Sequence, residues 1–347
     1  MSLKQSLSLL FISLFILSCG CFGMNDGVPS GVDEAPISQV SAGEEEFIED
    51  PDYRQEMREL VIDISTYSKQ KNPDFIVIPQ NGQELLIETV DAHQVSEEYL
   101  AAIDGVGRED LFFGYENDNE VTPNENTDEM LALLDMAKEN GISVLVTDYC
   151  WDKTFVDSSY QNSAARGYIS FAADSRGLDS IPSYPAVPFA VNSGDVLSLS
   201  DIGNFLYIID PGNFDERGDF LKSLQETDYD LLIIDMFYDD ISLTVDELSM
   251  LKTKSNGGSR LVVAYMSIGE AEDYRYYWSD SWERTPPSWL EAENPDWEGN
   301  YKVLYWGEGW QSVIYGSEDA YLDKVIDAGF DGVYLDIIDA FEYFEGV

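Results

Sequence analysis

Carboxylates and amides recur wherever a run of apolar residues ends. Gln80 and Asn81 follow FIVIP, Arg108, Glu109 and Asp110 follow DGVG, and Asp148 falls within VTDYC. Asp210 and Asp235 close FLYIID and LLIID, Ser267 and Glu270 follow LVVAYM, and Asp336 closes GVYLD with Asp339 just beyond it. Two carboxyls held together can divide acid, base and nucleophile roles between them. Several around one opening also grip sugar hydroxyls by hydrogen bonds. Any one such Asp or Asn is equally well a helix N-cap or a solvated loop residue. Seven exits of the same kind point to a site.

Absent residue types narrow the chemistry further. His93 is the only histidine, which removes multi-histidine metal sites and any histidine-dependent triad that His93 itself does not serve. Cys19, Cys21 and Cys150 are the only cysteines, too few and too scattered for a disulfide scaffold or a cysteine zinc site. Catalysis must then use carboxylates, Tyr, Lys or Ser, and neither metal nor cofactor is expected.

The elements that would position these residues alternate along the chain. Apolar spacing predicts a helix over 52–71, stopped by Pro73, then a buried strand over 74–79. A short helix over 97–103 precedes a strand between Gly105 and Gly114. A helix over 127–140 is closed by Gly141, a strand follows over 142–149, a helix over 158–166 and a strand over 168–173. A Pro-bearing connection spans 174–203. Strands over 205–210, 231–235, 261–267 and 332–336 then alternate with helices over 216–225, 245–252 and 309–328. Four strands on each side of the connection, all continuously apolar, predict parallel strands covered by helices on both faces. The expected fold is α/β, a (β/α)8 TIM barrel, with chemistry at the C-terminal ends of its strands. An open doubly wound sheet is the alternative, weakened because no Gly-rich phosphate loop follows the first strand of either half.

Between 274 and 310 lie Trp278, Trp282, Trp289, Trp297, Trp306 and Trp310. Aromatic faces stack on sugar rings, but most of this set is expected to pack a long insertion, leaving one or two to face a ligand.

The chain has 347 residues, with Lys+Arg 19 against Asp+Glu 67, a formal net charge of −48. Such a surface repels nucleic acid and anionic lipid, so neither is expected as an electrostatic partner. It suits a high-salt setting, where screening tolerates self-repulsion, or a cationic ligand; the even spread of charge favours the halophilic reading. Lys4, the apolar run Leu7–Leu17 and the sequence ILSC read as an export signal over 1–18, with Cys19 as a lipidated residue. An uncleaved anchor or plain secretion is the alternative. Either way the domain is expected outside the cytoplasm, at the cell surface if a lipid anchor holds it. Residues 19–51 read as an acidic tether and 52–347 as one barrel.

The segments YMSIGEAEDYRYYW (265–278), ENPDW (293–297), NYKV (300–303) and AGFDGVYLDIIDAFEYF (328–344), with NPDFIVIPQNGQELL (72–86) and AIDGVGREDLFFGY (102–115), resemble a known family. They are similar to the barrel of the endo-α-1,4-polygalactosaminidase-like glycoside hydrolases, family 114, in its prokaryotic extracellular branch. In that family the part resembling 205–347 comes first, so the resemblance implies a circular permutation. Residues 52–174 would supply strands 5–8 of the family order, 175–204 the joint, and 205–347 strands 1–4. Two half-barrels that each pair with another chain would be the rival arrangement.

The resemblance implies an extracellular hydrolase acting on a polysaccharide such as an amino-sugar polymer through two carboxylates, and the protein is expected to be a monomer. By motif, Asp336 is the implied nucleophile or charge stabiliser and Glu109 the general acid/base, which requires a raised pKa of Glu109. Asp235, Tyr265, Ser267, Glu270, Asp148, Gln80, Asn81 and Asp339 would bind substrate. A non-catalytic carbohydrate-binding envelope lipoprotein and a surface metal binder built on the acidic mouth are the competing classes.

Overall fold

The structure, a computed structural model, describes residues 51–89 and 94–346. The export signal, Cys19, Cys21, nearly all of the acidic tether, and His93 lie outside the described residues.

Eight parallel strands form the centre: β1 (Ile76–Pro79), β2 (Gly105–Glu109), β3 (Ser143–Tyr149), β4 (Ile169–Ala173), β5 (Phe205–Ile208), β6 (Leu231–Asp235), β7 (Leu261–Ser267) and β8 (Gly332–Asp336). All but β2, whose sequence is GVGRE, are rich in β-branched, aromatic or other large apolar residues, and each is buried along most of its length, as strands covered on both faces must be. Five of them form one sheet in the order β1-β8-β7-β6-β5, and three form another in the order β2-β3-β4. Asn81 N donates to Gly107 O at 2.9 Å, and Asp104 N to Val77 O at 2.9 Å, which joins β1 to β2. Between β4 and β5 the contact is Phe171 against Phe205, ring centres 5.8 Å apart.

The five-stranded sheet is strongly curled. Tyr207, on its edge strand β5, donates its hydroxyl to Gln80 Oε1, at the exit of the opposite edge strand β1, over 3.0 Å. The architecture is therefore mixed α/β with parallel strands, compatible with a (β/α) barrel.

Helices α1 (Tyr53–Lys71), α2 (Glu97–Ala102), α3 (Asn124–Glu139), α4 (Lys153–Arg166), α5 (Arg217–Gln225), α6 (Val245–Leu251), α7 (Glu308–Ile314), α8 (Tyr321–Ala328) and α9 (Ala340–Glu345) connect the strands. α1 starts where Asp52 accepts from Gln55 N at 3.0 Å and buries Met57, Leu60, Val61 and Ile64. α4 starts at the Asp152 cap and ends on Gly167 at φ 69. None of the described helices is long and apolar enough to cross a membrane.

Three expectations differ from the structure. The helix expected over 158–166 begins five residues earlier, because Asp152 caps it by accepting from Thr154 N. The single helix expected over 309–328 is two, α7 and α8, because Gly316 takes a left-handed φ of 98 between them. The aromatic stretch expected as a loop contains a three-stranded antiparallel sheet, in which Asn300–Val303 lies between Glu270–Glu272 and Leu290–Glu293. Trp278, Trp282, Trp289 and Trp310 pack it as a chain of successive ring contacts, each at 5.1 Å or bridged by a neighbouring tyrosine. No period of two marks these short strands: Glu270–Glu272 is buried throughout, Leu290–Glu293 is mostly exposed, and Asn300–Val303 is half-buried up to Val303.

Candidate active site

Three strand exits lie side by side: β1, β8 on one flank of it, and β2 on the other. Each turns out of the sheet through a non-glycine residue in the left-handed region, Asn81 at φ 61, Ile337 at φ 58 and Asp110 at φ 59. Asn and Asp tolerate this conformation, but a β-branched Ile there is strained by about 1–3 kcal/mol. The turns matter because the residue before each is a polar group facing the mouth: Gln80, Asp336 and Glu109.

A cavity of about 300 Å³ opens there, with Gln80, Asn81, Glu109, Tyr149, Arg176, Tyr265, Asp336 and Asp339 on its wall. Asp336 Oδ1 accepts from Ile337 N at 2.8 Å, and Oδ2 from the Tyr265 hydroxyl at 2.7 Å. Glu109 Oε2 accepts from Asn81 Nδ2 at 3.2 Å, and Oε1 from the Tyr149 hydroxyl in a short hydrogen bond. Glu109 N donates back to Asn81 Oδ1 at 3.3 Å, so the amide grips the glutamate at both ends.

Desolvation in this pocket, reinforced by the charge of Glu109, pushes the Asp336 carboxyl up to about 8 against the lowering effect of its two hydrogen bonds. Asp339 is pushed up to about 6, chiefly by burial and then by Glu342 and Glu109. A carboxyl that keeps its proton near neutral pH beside a second carboxyl is the arrangement acid–base catalysis uses.

On one side the cavity adjoins a second space of about 450 Å³, walled by Asp210, Asp235, Glu272, Tyr274, Arg275 and Trp297 among others. Arg275 is buried there between two carboxylates, 2.7 Å from Asp235 and 2.6 Å from Glu272. Trp297, 55% exposed, and Tyr274, 53% exposed, present free ring surface to both spaces, while the other tryptophans of this stretch pack inward. On the other side Asn81 and Asp339 are shared with a third space of about 250 Å³, which Arg108 and Glu342 also line.

The structure brings Gln80, Asn81, Glu109, Tyr265, Asp336 and Asp339 to one cavity and Asp235 to the next. Asp148, Ser267 and Glu270 do not reach either wall. Asp148 accepts from Phe112 N, Phe113 N and the Ser159 hydroxyl, fixing the loop after β2 against α4. Strand alternation gives the reason: the face that carries Tyr149 into the mouth turns Asp148 away from it. Ser267 donates to Glu270 O at 3.1 Å. Glu270 is fully buried on Lys302, Asn294 and Asn300, where it ties the small antiparallel sheet together.

Sequence reading passed over Tyr149, Arg176, Tyr274 and Arg275. The first lies two residues beyond Thr147, the register partner of Glu109, so the pairing of β2 with β3 turns it to the same face as Glu109. Arg176 lies just beyond the exit of β4, the one strand end whose polar residues were not weighed. Among the described residues no three His, Cys, Asp or Glu side chains form a group that could hold a metal ion.

The model of Glycoside-hydrolase family GH114 matches residues 221–347. An uncharacterised protein of Methanocaldococcus jannaschii is 42% identical over 126 residues, 35% of this chain and 34% of the relative. One of Thermotoga maritima is 54% identical over 87 residues, 24% of this chain and 26% of the relative. One of Deinococcus radiodurans is 38% identical over 122 residues, 35% of this chain and 37% of the relative. The chain thus aligns with roughly a third of the length of these relatives. Asp235, Tyr265 and Asp336 fall inside the family match; Asn81, Glu109 and Tyr149 fall outside it.

Proposed function

From the premise that residues 221–347 are GH114-like, we propose that this protein is a glycoside hydrolase that cleaves a polysaccharide with the Asp336–Glu109 pair. The observation that carries the reading is the shared cavity: a carboxyl from the matched segment and one from outside it face the same space. Asp336, held by Tyr265 and the Ile337 amide, is the nucleophile or charge stabiliser. Glu109, held by Tyr149 and Asn81, is the general acid/base. For Asp336 to attack or to stabilise charge, its proton must first pass to Glu109 as substrate binds, which places the one proton that the reaction needs on the general acid.

Substrate would lie along the three adjoining spaces, its sugar faces against Trp297 and Tyr274. Gln80, Asn81, Asp339, Asp235 and Tyr265 would meet its hydroxyl or amino groups. An amino-sugar polymer suits the acid-lined mouth, where ammonium groups replace counter-ions. A closed, circularly permuted barrel belongs to the same proposal. It is supported by the seating of α9 on α1, where Arg54 meets Glu345 at 2.9 Å and the rings of Tyr53 and Phe344 stack at 5.4 Å. Export and a lipid on Cys19 rest on the signal sequence; loss of radiolabelled fatty acid in Cys19→Ala tests them.

The activity is tested by incubating the protein with α-1,4-linked polygalactosamine, its N-acetylated form and neutral glycans at low and high salt. New reducing ends from any of them support the reading. Binding without cleavage points instead to a carbohydrate-binding protein that keeps the pocket.

A further inference from the structure

Arg176 is the one arginine on the wall of the central cavity, and hydrogen bonds within this protein engage four of its five guanidinium N–H donors. Nε donates to Asp118 Oδ1 at 2.7 Å, Nη1 to Asp110 Oδ2 at 3.2 Å, and Nη2 to Asp110 Oδ1 at 2.8 Å and Gly114 O at 2.9 Å. A residue so fully engaged has little left with which to bind substrate. What it does instead is cover Tyr149: its Cζ lies 3.9 Å from the centre of that ring. Tyr149 in turn donates its hydroxyl to Glu109 Oε1.

The surrounding backbone is shaped to permit this stack. Asp110 directly follows Glu109 and turns through φ 59, which carries its carboxylate to the guanidinium. Gly114 stands at φ 118, and a Cβ there would lie 2.2 Å from Asp110 Oδ1 and 3.2 Å from both Arg176 Nη2 and Tyr149 Cβ. Only a glycine lets the three groups converge. The arginine thus ties together the loop after β2, the end of β3 and the segment after β4.

We propose that Arg176 is a positioning residue for the carboxyl pair, acting on Glu109 through the phenol of Tyr149. A cation against a ring face draws charge from the ring and strengthens its O–H as a donor, and it fixes the ring plane. Glu109 Oε1 is thereby held on a defined donor while the other oxygen rests on Asn81. The proposal rests on Asp336 and Glu109 being the reacting pair.

The test uses the folded protein without ligand. The Tyr149 hydroxyl proton, donated to a carboxylate and shielded from solvent exchange, gives a downfield proton NMR resonance, assigned by its loss in Tyr149→Phe. In Arg176→Gln it moves upfield by roughly 1 ppm or broadens away, with the rest of the amide spectrum retained, and in Arg176→Lys it lies between. A resonance unmoved in both variants overturns the proposal. Arg176→Lys alone decides it if Arg176→Gln does not fold. On a cleaved polysaccharide, Arg176→Lys should also lower kcat roughly tenfold with KM unchanged. A protein that cleaves nothing while the resonance still moves refutes the hydrolase reading and leaves the coupling standing.

Discussion

Asp336 and Glu109 sit at the ends of strands that flank the same strand: β8 pairs with β1 along its length, and β2 bridges to the exit of β1 at Gln80 and Gly107. Two carboxyls far apart in the chain therefore enter one cavity, each with a tyrosine hydroxyl on one oxygen.

This proximity sets a pH dependence. With Asp336 pushed up to about 8, the pair gives up its last proton above that value, and kcat/KM should fall on the alkaline side of about pH 8. The same shift bears on stability. The unfolded carboxyl loses its proton near 3.8 while the folded one keeps it to about 8, so folding stability is lost as pH rises through that window. Asp336→Asn cannot ionise and should escape this loss. Denaturant titrations should find it more stable than wild type by about 2 kcal/mol at about pH 9, and without that advantage at about pH 4.

Gly107 gives a steric prediction just beneath the site. A Cβ at this position would lie 2.0 Å from the Tyr334 hydroxyl, whose ring is buried in the strand interior against Tyr207 at 5.1 Å. Gly107→Ala should destabilise by about 1–3 kcal/mol and move Glu109, two residues on along the same face. Thermal unfolding measures the first effect; weakened reducing-end release measures the second.

Lys254 and Asp230 form a fully buried ion pair at 2.8 Å, and Asp230 also accepts from Asn192 and Gly203 N in the segment between β4 and β5. Lys254→Met leaves a buried carboxylate without its cation and should cost about 3–5 kcal/mol in unfolding titrations. Lys254→Met with Asp230→Asn should recover part of it.

Much of this was legible because buried parallel strands write themselves as unbroken apolar runs: LLIID and LVVAYMS give β6 and β7 with their observed bounds. The exit that carries Asp336 was legible for the same reason, although a carboxylate ending such a run can face the mouth, as Asp336 does, or turn away from it, as Asp148 does. Less visible was which way a residue faces inside the last turn of a strand. Asp148 and Tyr149 are adjacent, and only the pairing of β3 with β2 decides that the tyrosine looks inward. Glu270 reads as a site residue until Lys302, thirty residues on, is seen to neutralise it. Arg176 was hidden because its partners lie elsewhere in the chain, Asp110 and Asp118 in the loop after β2 and Tyr149 at the end of β3.

The most direct measurement compares reducing-end release by wild type, Asp336→Asn and Glu109→Gln on one cleaved polysaccharide, with binding of the same polysaccharide measured alongside. The account predicts a fall of about 10²–10⁴-fold or more in kcat for each variant, with binding retained. Cleavage by both variants at the wild-type rate would contradict it.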